Sequence, residues 1–435
     1  MDLFRNTSFP KVVIIGGGFG GVKVAQGLKD TEAEVLLLDK NNYHTFQPLL
    51  YQVATGTLEA DSVSFPLRKI FVGQKNFRFR NAEVSGIHPE KNTIDTTIGE
   101  IPYDYLVIAT GSDTNYFGNK EIEKNAKPMK STTEALNLKS SMLHNIEEAL
   151  LKTTKEEREP YLNFVFVGAG PTGVELAGAV AEIKNKVLPR EYPELPKEEF
   201  NIYLVDFMPR VLPPLSEQAS KKAQEALEAM GVQVLTGVKV EAYNGEELSF
   251  EGGKVIKSKN VIWSAGVAGA IPNGLAKDSI VRGNRAQTDE INRVKGYNNI
   301  FAIGDAAAII TEDLPRGHPM LASVAQQQGK QLGKNLTHLI KGQTTEPFKY
   351  FDKGSMAVIG KNKAVVDAGP LKFSGFFAWT AWMGVHLFLL QGARNKAVSF
   401  VNWFGSYFSY SGGTRLILTK PEKEEIPTVD DLPKA

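Results

Sequence analysis

The chain contains two glycine-rich fingerprints of the type that bind dinucleotides. One is Gly16 to Gly21 and the other is Gly168 to Gly173, and each directly follows a short strand rich in β-branched residues. Glycine at these positions permits a tight turn from strand to helix, lets the backbone approach a pyrophosphate, and lets the helix pack on its strand. The free N–H groups at the start of each helix would then face the phosphates. Two such motifs in one chain predict two bound dinucleotides.

The residues around the first fingerprint fit a β-α-β unit. Lys11 to Ile15 has the continuous apolar character of a buried parallel strand, Val22 to Leu28 predicts the following helix, and Val35 to Leu38 predicts the next strand. That strand ends in Asp39, where an acidic side chain can bond a ribose hydroxyl. Because glycine-rich turns also occur for purely structural reasons, this context is what makes the motif a candidate dinucleotide site.

The second fingerprint repeats the same plan. Phe164 to Val167 predicts the strand before it, Val174 to Ile183 the helix, and Ile202 to Val205 a strand that ends in Asp206. The acidic residue comes later than in the first unit because the proline-rich segment Leu188 to Pro196 is inserted between helix and strand.

The composition excludes several kinds of chemistry. The chain has no cysteine, so electrons cannot pass from a flavin to a thiol pair, and disulfides and thiolate metal sites are excluded. Its histidines are never three or four residues apart, so no metal site is predicted. Redox chemistry in this chain must therefore run through a bound cofactor.

Length and charge set further limits. A chain of 435 residues, 42% of them hydrophobic, can form two or three domains with ordinary cores. A net charge of +1 argues against nucleic acid as a partner. Residues 1–10 contain no apolar signal-peptide core, and no stretch reaches the length of a membrane-spanning helix. We therefore expect a cytoplasmic compartment.

The order of the motifs predicts one nucleotide-binding fold inserted in another. After the second fold, Asn299 to Asp305 contains another short strand that ends in a glycine-aspartate turn and returns the chain to the first fold. Earlier, Ser131 to Glu134 has the pattern of a capping box and predicts a helix that ends near Leu151. The fold class is thus α/β, with two Rossmann-like dinucleotide-binding domains, the second inserted in the first, and a C-terminal membrane-associating region with amphipathic helices.

That C-terminal region is aromatic and basic. Phe376 to Leu390 contains a single histidine and no charged residue, and as a helix it would be roughly 22 Å long, too short to span a bilayer. A second segment, Val398 to Phe408, has aromatic residues at near-helical spacing. Such helices suit the surface of an anionic membrane, while a buried hairpin or a dimer interface remains the alternative. Between 371 and 420 the charged residues are all basic: Lys372, Arg394, Lys396, Arg415 and Lys420.

Together these features resemble the type II NADH:quinone oxidoreductases, single-subunit flavoproteins with two dinucleotide folds. The likeness covers nearly the whole chain and includes Ala109-Thr110-Gly111, Ile262 to Gly266 and Gly304-Asp305. A closing pattern separates this family from soluble relatives; it consists of Ala378-Trp379, His386-Leu387, Gly392, Arg394-Asn395, Asn402-Trp403, Ser406-Tyr407, Gly413 and Arg415-Leu416-Ile417.

The resemblance implies FAD in the first fold and NADH in the second. Asp39 would bond the adenosine ribose of FAD, Asp305 its ribityl chain, and Asp206 the adenosine ribose of NADH. A carboxylate at Asp206 repels a 2′-phosphate and favours NADH over NADPH, although Arg210 lies four residues on. The residues implied for FAD are Gly16, Gly18, Phe19, Gly20, Gly21, Asp39, Lys40, Gln47, Ala109, Thr110, Gly111, Gly304 and Asp305. Those implied for NADH are Gly168, Gly170, Thr172, Gly173, Glu175, Asp206, Ala265 and Gly266.

The family also has a quinone-site pattern, alanine-glutamine-x-alanine-x-glutamine-glutamine-glycine. The matching stretch starts at Ala322, where Ser323 replaces the first glutamine. A helix starting near Pro319 would direct its N-terminus at the flavin. The resemblance implies quinone contacts for Ala325, Gln327, Gln328 and Gly329, with the two amides bonding a carbonyl oxygen; from spacing alone, an ordinary polar helix face is the better interpretation.

Three further residues stand out. Glu175 matches a glutamate of the family and is expected, with Gln327 and Gln328, to be catalytic, either by positioning the nicotinamide or by relaying protons towards the quinone. Lys372 is a candidate contact for a quinone or a lipid phosphate, with a solvated lysine as the alternative. His386 is expected to be a packed histidine with one hydrogen bond.

The predicted function is FAD-dependent oxidation of NADH with electron transfer to a membrane quinone, without proton pumping. A sulfide:quinone oxidoreductase would need cysteines; a soluble NADH-dependent reductase of a protein acceptor and an NADH-sensing flavoprotein scaffold remain alternatives. We expect a homodimer, peripheral on the cytoplasmic face of the inner membrane. The expected domains are 1–155 with 285–346 for FAD, 156–284 for NADH, 347–420 for the membrane and quinone side, and a disordered tail at 421–435.

Overall fold

The computed structural model of the chain describes residues 3–5, 7–409 and 415–418. The chain forms two compact units. Unit 1 comprises the residues up to Thr45 with Ser64–Asn115 and Val267–Lys353, and unit 2 comprises Phe46–Val63, Tyr116–Gly266 and the residues from Gly354 on. The tail predicted to be disordered lies outside the described residues.

The helices predicted from the sequence are present with shifted boundaries, and the structure contains others that the sequence analysis did not predict. In chain order, the first, fourth and eleventh α-helices lie in unit 1, and the other α-helices lie in unit 2. A π-helical turn, Ile183–Val187, continues the eighth α-helix beyond Glu182. The α-helices are α1 Phe19–Gly27, α2 Leu50–Ala54, α3 Ala60–Val63, α4 Leu67–Ile70, α5 Lys120–Asn125, α6 Thr132–Leu150, α7 Lys155–Leu162, α8 Pro171–Glu182, α9 Leu188–Glu191, α10 Glu217–Ala229, α11 Ala322–Ile340, α12 Phe376–Leu389 and α13 Ala393–Ser409.

Unit 1 is built on a five-stranded parallel sheet whose inner strands are largely buried, while its edge strand Phe77–Asn81 is only partly buried. In spatial order the strands are Ile300–Ala302, Tyr105–Ile108, Lys11–Ile15, Glu34–Asp39 and Phe77–Asn81. Because the edge strand Ile300–Ala302 comes from beyond the whole second fold, the predicted insertion is confirmed. The other strands of unit 1 are Tyr43–Thr45, Ser64–Pro66, Val84–His88, Thr93–Thr96, Ile101–Pro102, Ser112–Thr114, Val267–Gly269, Ile280–Val281, Arg285–Thr288 and Ala307–Ile309.

Unit 2 contains the second parallel sheet, with strands in the order Val232–Thr236, Asn201–Asp206, Asn163–Val167 and Asn260–Trp263. Unit 2 also has a C-terminal antiparallel sheet, whose strand Ser355–Gly360 packs closely on α8. A Cβ at Gly178 of α8 would lie 1.8 Å from the carbonyl oxygen of Ile359. This contact fixes the face of α8 that carries Glu175. The remaining strands are Val240–Tyr243, Glu247–Phe250, Val255–Lys257, Ser355–Gly360, Lys363–Ala368 and Leu371–Ser374.

The helix predicted from the capping box is confirmed. The Ser131 hydroxyl accepts a hydrogen bond from the Glu134 N–H, and the Glu134 carboxylate accepts one from the Ser131 N–H in return. The helix ends at Leu150, and such a cap contributes about 1 kcal/mol.

The C-terminal helices α12 and α13 expose large apolar side chains. Phe388 on α12 is 78% exposed and Phe408 on α13 is 70% exposed. Within the part of the chain that the structure describes, no helix is long and apolar enough to cross a bilayer. The other exposed aromatic residues of the two helices are Phe376, Phe377, Phe400 and Phe404.

Candidate functional site

The first fingerprint forms a tight turn in which most glycines are required by packing. Gly16 has a φ of +104°, and a Cβ there would lie 2.3 Å from the carbonyl oxygen of Ala109. A Cβ at Gly21 would lie 1.9 Å from the carbonyl oxygen of Gly16. Gly18 differs, because no atom lies within 4 Å of the place its Cβ would take. The space beside Gly18 is therefore where a pyrophosphate can approach the backbone.

Asp39 ends the second strand of this unit, as predicted. Its carboxylate accepts hydrogen bonds from the N–H groups of Gly17 and Asn41, each at 2.6 Å. Burial raises the pKa of Asp39. Lys40 beside it is exposed, and Gln47, also expected at the FAD site, falls in unit 2 as an exposed residue.

The Gly304-Asp305 turn lies in the same unit. The Ser112 hydroxyl donates a hydrogen bond to the Asp305 carboxylate at 2.6 Å, a contact that the sequence motifs did not indicate. The buried hydroxyl of Thr110 has no hydrogen-bond partner among the described residues. A Cβ at Gly111 would have open space around it. The unbonded Thr110 hydroxyl and the open turn at Gly111 fit the polar ribityl and phosphate groups of FAD.

Helix α11 supports both of these turns. A Cβ at Gly329 would lie 2.3 Å from the carbonyl oxygen of Gly20, and a Cβ at Gly304 would lie 3.1 Å from the Cβ of Ala325. The Gln328 side-chain oxygen accepts a hydrogen bond from the N–H of Gly304 at 2.7 Å. Gly329 and Gln328 of the pattern therefore help to hold these turns in place.

The other residues of the expected quinone pattern are also engaged within unit 1. Gln327 accepts a hydrogen bond from the Phe351 N–H and donates one to the Phe351 carbonyl, both at 3.0 Å. Ser323, which replaces the first glutamine, bonds the Tyr350 hydroxyl at 3.1 Å. The helix begins at Ala322 instead of near Pro319.

The second fingerprint repeats the geometry in unit 2. Gly168 has a φ of +107°, and a Cβ at Gly173 would lie 1.8 Å from the carbonyl oxygen of Gly168. Gly170 has open space, like Gly18 in the first motif. Thr172 is half-buried in the first turn of α8, and a Cβ at Gly266, which follows Ala265, would meet the Phe117 ring at 2.9 Å.

Asp206 and Arg210 take different roles at the second site. The Asp206 carboxylate accepts hydrogen bonds from the N–H groups of Ala169 and Met208. The Arg210 guanidinium donates to the carbonyl oxygens of Leu215 at 2.8 Å and Pro213 at 2.7 Å, and to the Ser220 hydroxyl. These three bonds tie the Arg210 guanidinium to its own loop.

Unit 2 also contains an aromatic cavity with a volume of about 140 Å³. Glu175 lines it and is buried, and among the described residues its one hydrogen bond is a long one, of 3.5 Å, from the N–H of Val358. Burial raises the pKa of Glu175 to about 8. The buried indole N–H of Trp382 on α12 has no partner among the described residues. Other residues around the cavity are Tyr51, Gln52, Glu182, Lys361, Trp379, Trp403, Tyr407 and Arg415.

Sequence reasoning identified Glu175 but missed most of its neighbours in the cavity. Tyr51 and Gln52 lie on the short helix α2, and no spacing rule connects them with α12 or α13. His386 behaves as predicted: it is buried, its Nδ1 bonds the Trp382 carbonyl oxygen at 2.8 Å, and burial lowers its pKa to about 4. Lys372 lies on an exposed strand.

Comparison with known proteins places this geometry among flavoprotein oxidoreductases. Residues 10–329 match the pyridine nucleotide-disulphide oxidoreductase family. The chain is 36% identical to the type II NADH:quinone oxidoreductase NdhA of Mycobacterium tuberculosis H37Rv, over 94% of this chain and 90% of that protein. It is 35% identical to Ndh of the same organism, over 93% and 89%. The fold matches that of NDH2 from Plasmodium falciparum, solved in complex with NADH, with a TM-score of 0.85 and 22% identity over 94% of this chain and 99% of that one.

Proposed function

Because this chain belongs to the type II NADH:quinone oxidoreductases, we propose that its aromatic cavity receives the quinone and that its two fingerprints hold FAD and NADH. The chain oxidises NADH and reduces a quinone: NADH + H⁺ + quinone → NAD⁺ + quinol. The observation that carries the cavity assignment is the buried, protonatable Glu175 among aromatic walls. The direct test is quinone reduction by an Ala179→Trp variant, whose indole would fill this cavity.

FAD, when bound, supplies the two-electron redox chemistry that a chain without cysteine cannot supply itself. In unit 1, the open backbone at Gly18 and Gly111 would accept the phosphates, with the start of α1 contributing its free N–H groups. Asp39 would bond the adenosine ribose, and Asp305, oriented by Ser112, the ribityl chain. Gln328 and Gly329 would position these turns through the packing of α11.

NADH would bind unit 2 in the same manner, with Gly170 beside its pyrophosphate and Asp206 on its adenosine ribose. We expect Asp206→Ser to raise the KM for NADH about tenfold and to improve the use of NADPH relative to NADH, because the carboxylate that repels a 2′-phosphate is removed. Steady-state kinetics with both nucleotides measures the change. Glu225→Gln, at an exposed position of α10, is the control, and an unchanged NADPH to NADH ratio would contradict the assignment.

In the cavity, Glu175 would supply the proton that quinone reduction consumes. The overall reaction takes one proton from solvent, and a carboxyl group with a pKa near 8 is protonated at neutral pH. The Trp382 N–H is a second polar group available to a head group between the aromatic walls. Gln327, whose amide is bonded to Phe351, would contribute to structure in unit 1.

We further propose that α12 and α13 bind the surface of an anionic membrane. Their exposed aromatic residues supply the apolar face, and Lys396 packs over the Phe388 ring as an interfacial lysine does. Two of the basic residues are neutralised by carboxylates from elsewhere in unit 2: Arg394 lies 3.0 Å from Asp61, and Arg415 donates to Glu191 at 2.7 Å. The insertion of aromatic side chains into lipid would therefore contribute more to membrane binding than the attraction between basic residues and anionic lipids.

We expect the double variant Phe400→Ser with Phe404→Ser to weaken binding to anionic vesicles ten- to hundredfold, because two exposed phenylalanines lose their burial in lipid. Sedimentation with vesicles measures binding, and reduction of a short-chain, water-soluble quinone should persist. Val72→Ser is the matched control, since Val72 is 82% exposed but lies in unit 1. If the double variant sediments with vesicles as well as the unmodified protein does, the proposal that these side chains bind the membrane is wrong.

The resemblance also motivates three proposals about the assembled enzyme. We propose that it forms a homodimer, that it works from the cytoplasmic face of the inner membrane, and that it does not pump protons. Light scattering of the purified protein tests the first, and protease accessibility in oriented membrane vesicles tests the second. A pH indicator trapped in proteoliposomes tests the third.

A further inference from the structure

Three buried side chains in unit 2 form a hydrogen-bonded series that ends at the cavity. The indole N–H of Trp403 on α13 donates to the side-chain oxygen of Gln52 at 2.6 Å. The side-chain nitrogen of Gln52 then donates to the Tyr51 hydroxyl oxygen at 2.8 Å. All three residues line the cavity around Glu175.

The chemistry of these groups fixes the direction of each bond. An indole N–H can only donate, so the oxygen of the Gln52 amide must face Trp403 and its NH₂ group must face Tyr51. The Tyr51 oxygen therefore acts as an acceptor from Gln52, and the hydrogen of its own hydroxyl must point elsewhere. The structure shows no acceptor for that hydrogen among the described residues.

The environment keeps the Tyr51 phenol protonated. Burial, and next the nearby Glu175 carboxylate, raise the pKa of Tyr51 well above its ordinary value. Its ring is held beside Trp382, with centroids 6.4 Å apart. A buried phenol with its oxygen already accepting a bond is thus a fixed hydrogen-bond donor at the wall of the cavity.

We propose that the Tyr51 hydroxyl donates a hydrogen bond to a carbonyl oxygen of the bound quinone, and that Trp403 orients this donor through Gln52. The inference rests on the proposed function of the cavity as the quinone site. As the quinone accepts electrons, its oxygen gains negative charge, so a preorganised donor stabilises the reduced form more than the starting quinone. The phenol retains its proton, and the proton consumed in the reaction comes from Glu175.

This arrangement makes α13 serve two purposes. Its Phe400 and Phe404 are exposed on the proposed membrane face, while Trp403 between them points inward and is only 8% exposed. The helix that contacts lipid would then also set the polarity of the head-group site. The effect of Trp403 is one of positioning, because it touches Gln52 and not the reacting atoms.

Steady-state kinetics with a soluble quinone tests the proposal. We expect Tyr51→Phe to lower kcat for quinone reduction ten- to hundredfold with a smaller change in KM, because the lost bond is stronger in the transition state. Trp403→Phe should lower kcat three- to tenfold, since it frees the Gln52 amide to rotate. The double variant should be no slower than Tyr51→Phe alone, because the two residues act in series.

The controls separate this proposal from the one it rests on. Reduction of ferricyanide with NADH should stay unchanged in all these variants and would show that FAD and NADH still bind. Tyr192→Phe removes a hydroxyl that bonds Glu147 outside the cavity and should leave quinone reduction unchanged.

If Tyr51→Phe keeps its kcat while Ala179→Trp abolishes quinone reduction, the cavity is the quinone site but Tyr51 is not the donor. If Ala179→Trp has no effect, the cavity assignment itself fails. Additive effects of Tyr51→Phe and Trp403→Phe would refute the orienting role of Trp403.

Discussion

Replacing Glu175 by glutamine should lower NADH:quinone turnover about a hundredfold while ferricyanide reduction with NADH continues. The amide has nearly the same shape as the carboxyl group but cannot donate a proton, and general acid catalysis typically contributes a hundredfold or more. Quinone reduction consumes one proton for each turnover, and Glu175 is a buried acid that lines the cavity. Stopped-flow measurement of the two half-reactions separates NADH oxidation, which should be unaffected, from quinone reduction.

The pH dependence gives a sharper form of this prediction. Glu175 donates only in its protonated form, and its pKa is about 8, so quinone reduction in the unmodified protein should fall as the pH rises through about 8. In Glu175→Gln the remaining activity should not show this transition. Glu225→Gln, at an exposed site, should keep the original profile. An identical pH profile in Glu175→Gln would show that another group supplies the proton.

Stability should respond to the same substitution. Because the pKa of Glu175 in the folded chain lies above its unfolded value of 4.5, the folded state binds the proton more tightly. This stabilisation is fully present below pH 4.5 and is lost as the pH rises through about 8. Thermal unfolding should therefore show that the unmodified protein loses stability between pH 5 and 8, by roughly a few kcal/mol, and that Glu175→Gln loses less.

Gly18→Ala should abolish FAD binding, and Gly170→Ala should raise the KM for NADH at least tenfold with FAD retained. Both glycines have ordinary negative φ angles, −72° and −70°, and no neighbouring atom within 4 Å of an added Cβ. The apo fold therefore tolerates alanine, but the methyl group occupies the space that each pyrophosphate needs. Flavin absorbance after purification and NADH kinetics measure the two effects.

Each variant serves as the control for the other, since the same chemical change is made in equivalent positions of two folds. Circular dichroism should show unchanged helix content in both. By contrast, alanine at Gly21 or Gly173 would bring its Cβ within 2 Å of a carbonyl oxygen, at 1.9 and 1.8 Å, and should destabilise the fold. A Gly18→Ala protein that retains flavin would contradict the placement of FAD at this turn.

Local features of this chain could be predicted from the sequence because they depend on neighbouring residues. The buried strands, the two fingerprints and the capping box at Ser131 all follow from short-range patterns and were found where predicted. Boundaries were less accurate: α1 starts at Phe19 instead of Val22, and α8 starts at Pro171 instead of Val174, because residues of the fingerprints themselves form the first helical turns.

The sequence by itself determined the two nucleotide folds, the order of their insertion and the absence of thiol chemistry. Only the tertiary structure decided that 46–63 joins the C-terminal helices in unit 2, so that Tyr51 and Gln52 meet Trp403 and Glu175 at one cavity. It also decided that the amide oxygen of Gln328 holds the N–H of Gly304. These residues lie far apart in the chain, and no periodicity or turn rule relates them; their meeting depends on how buried surfaces pack together.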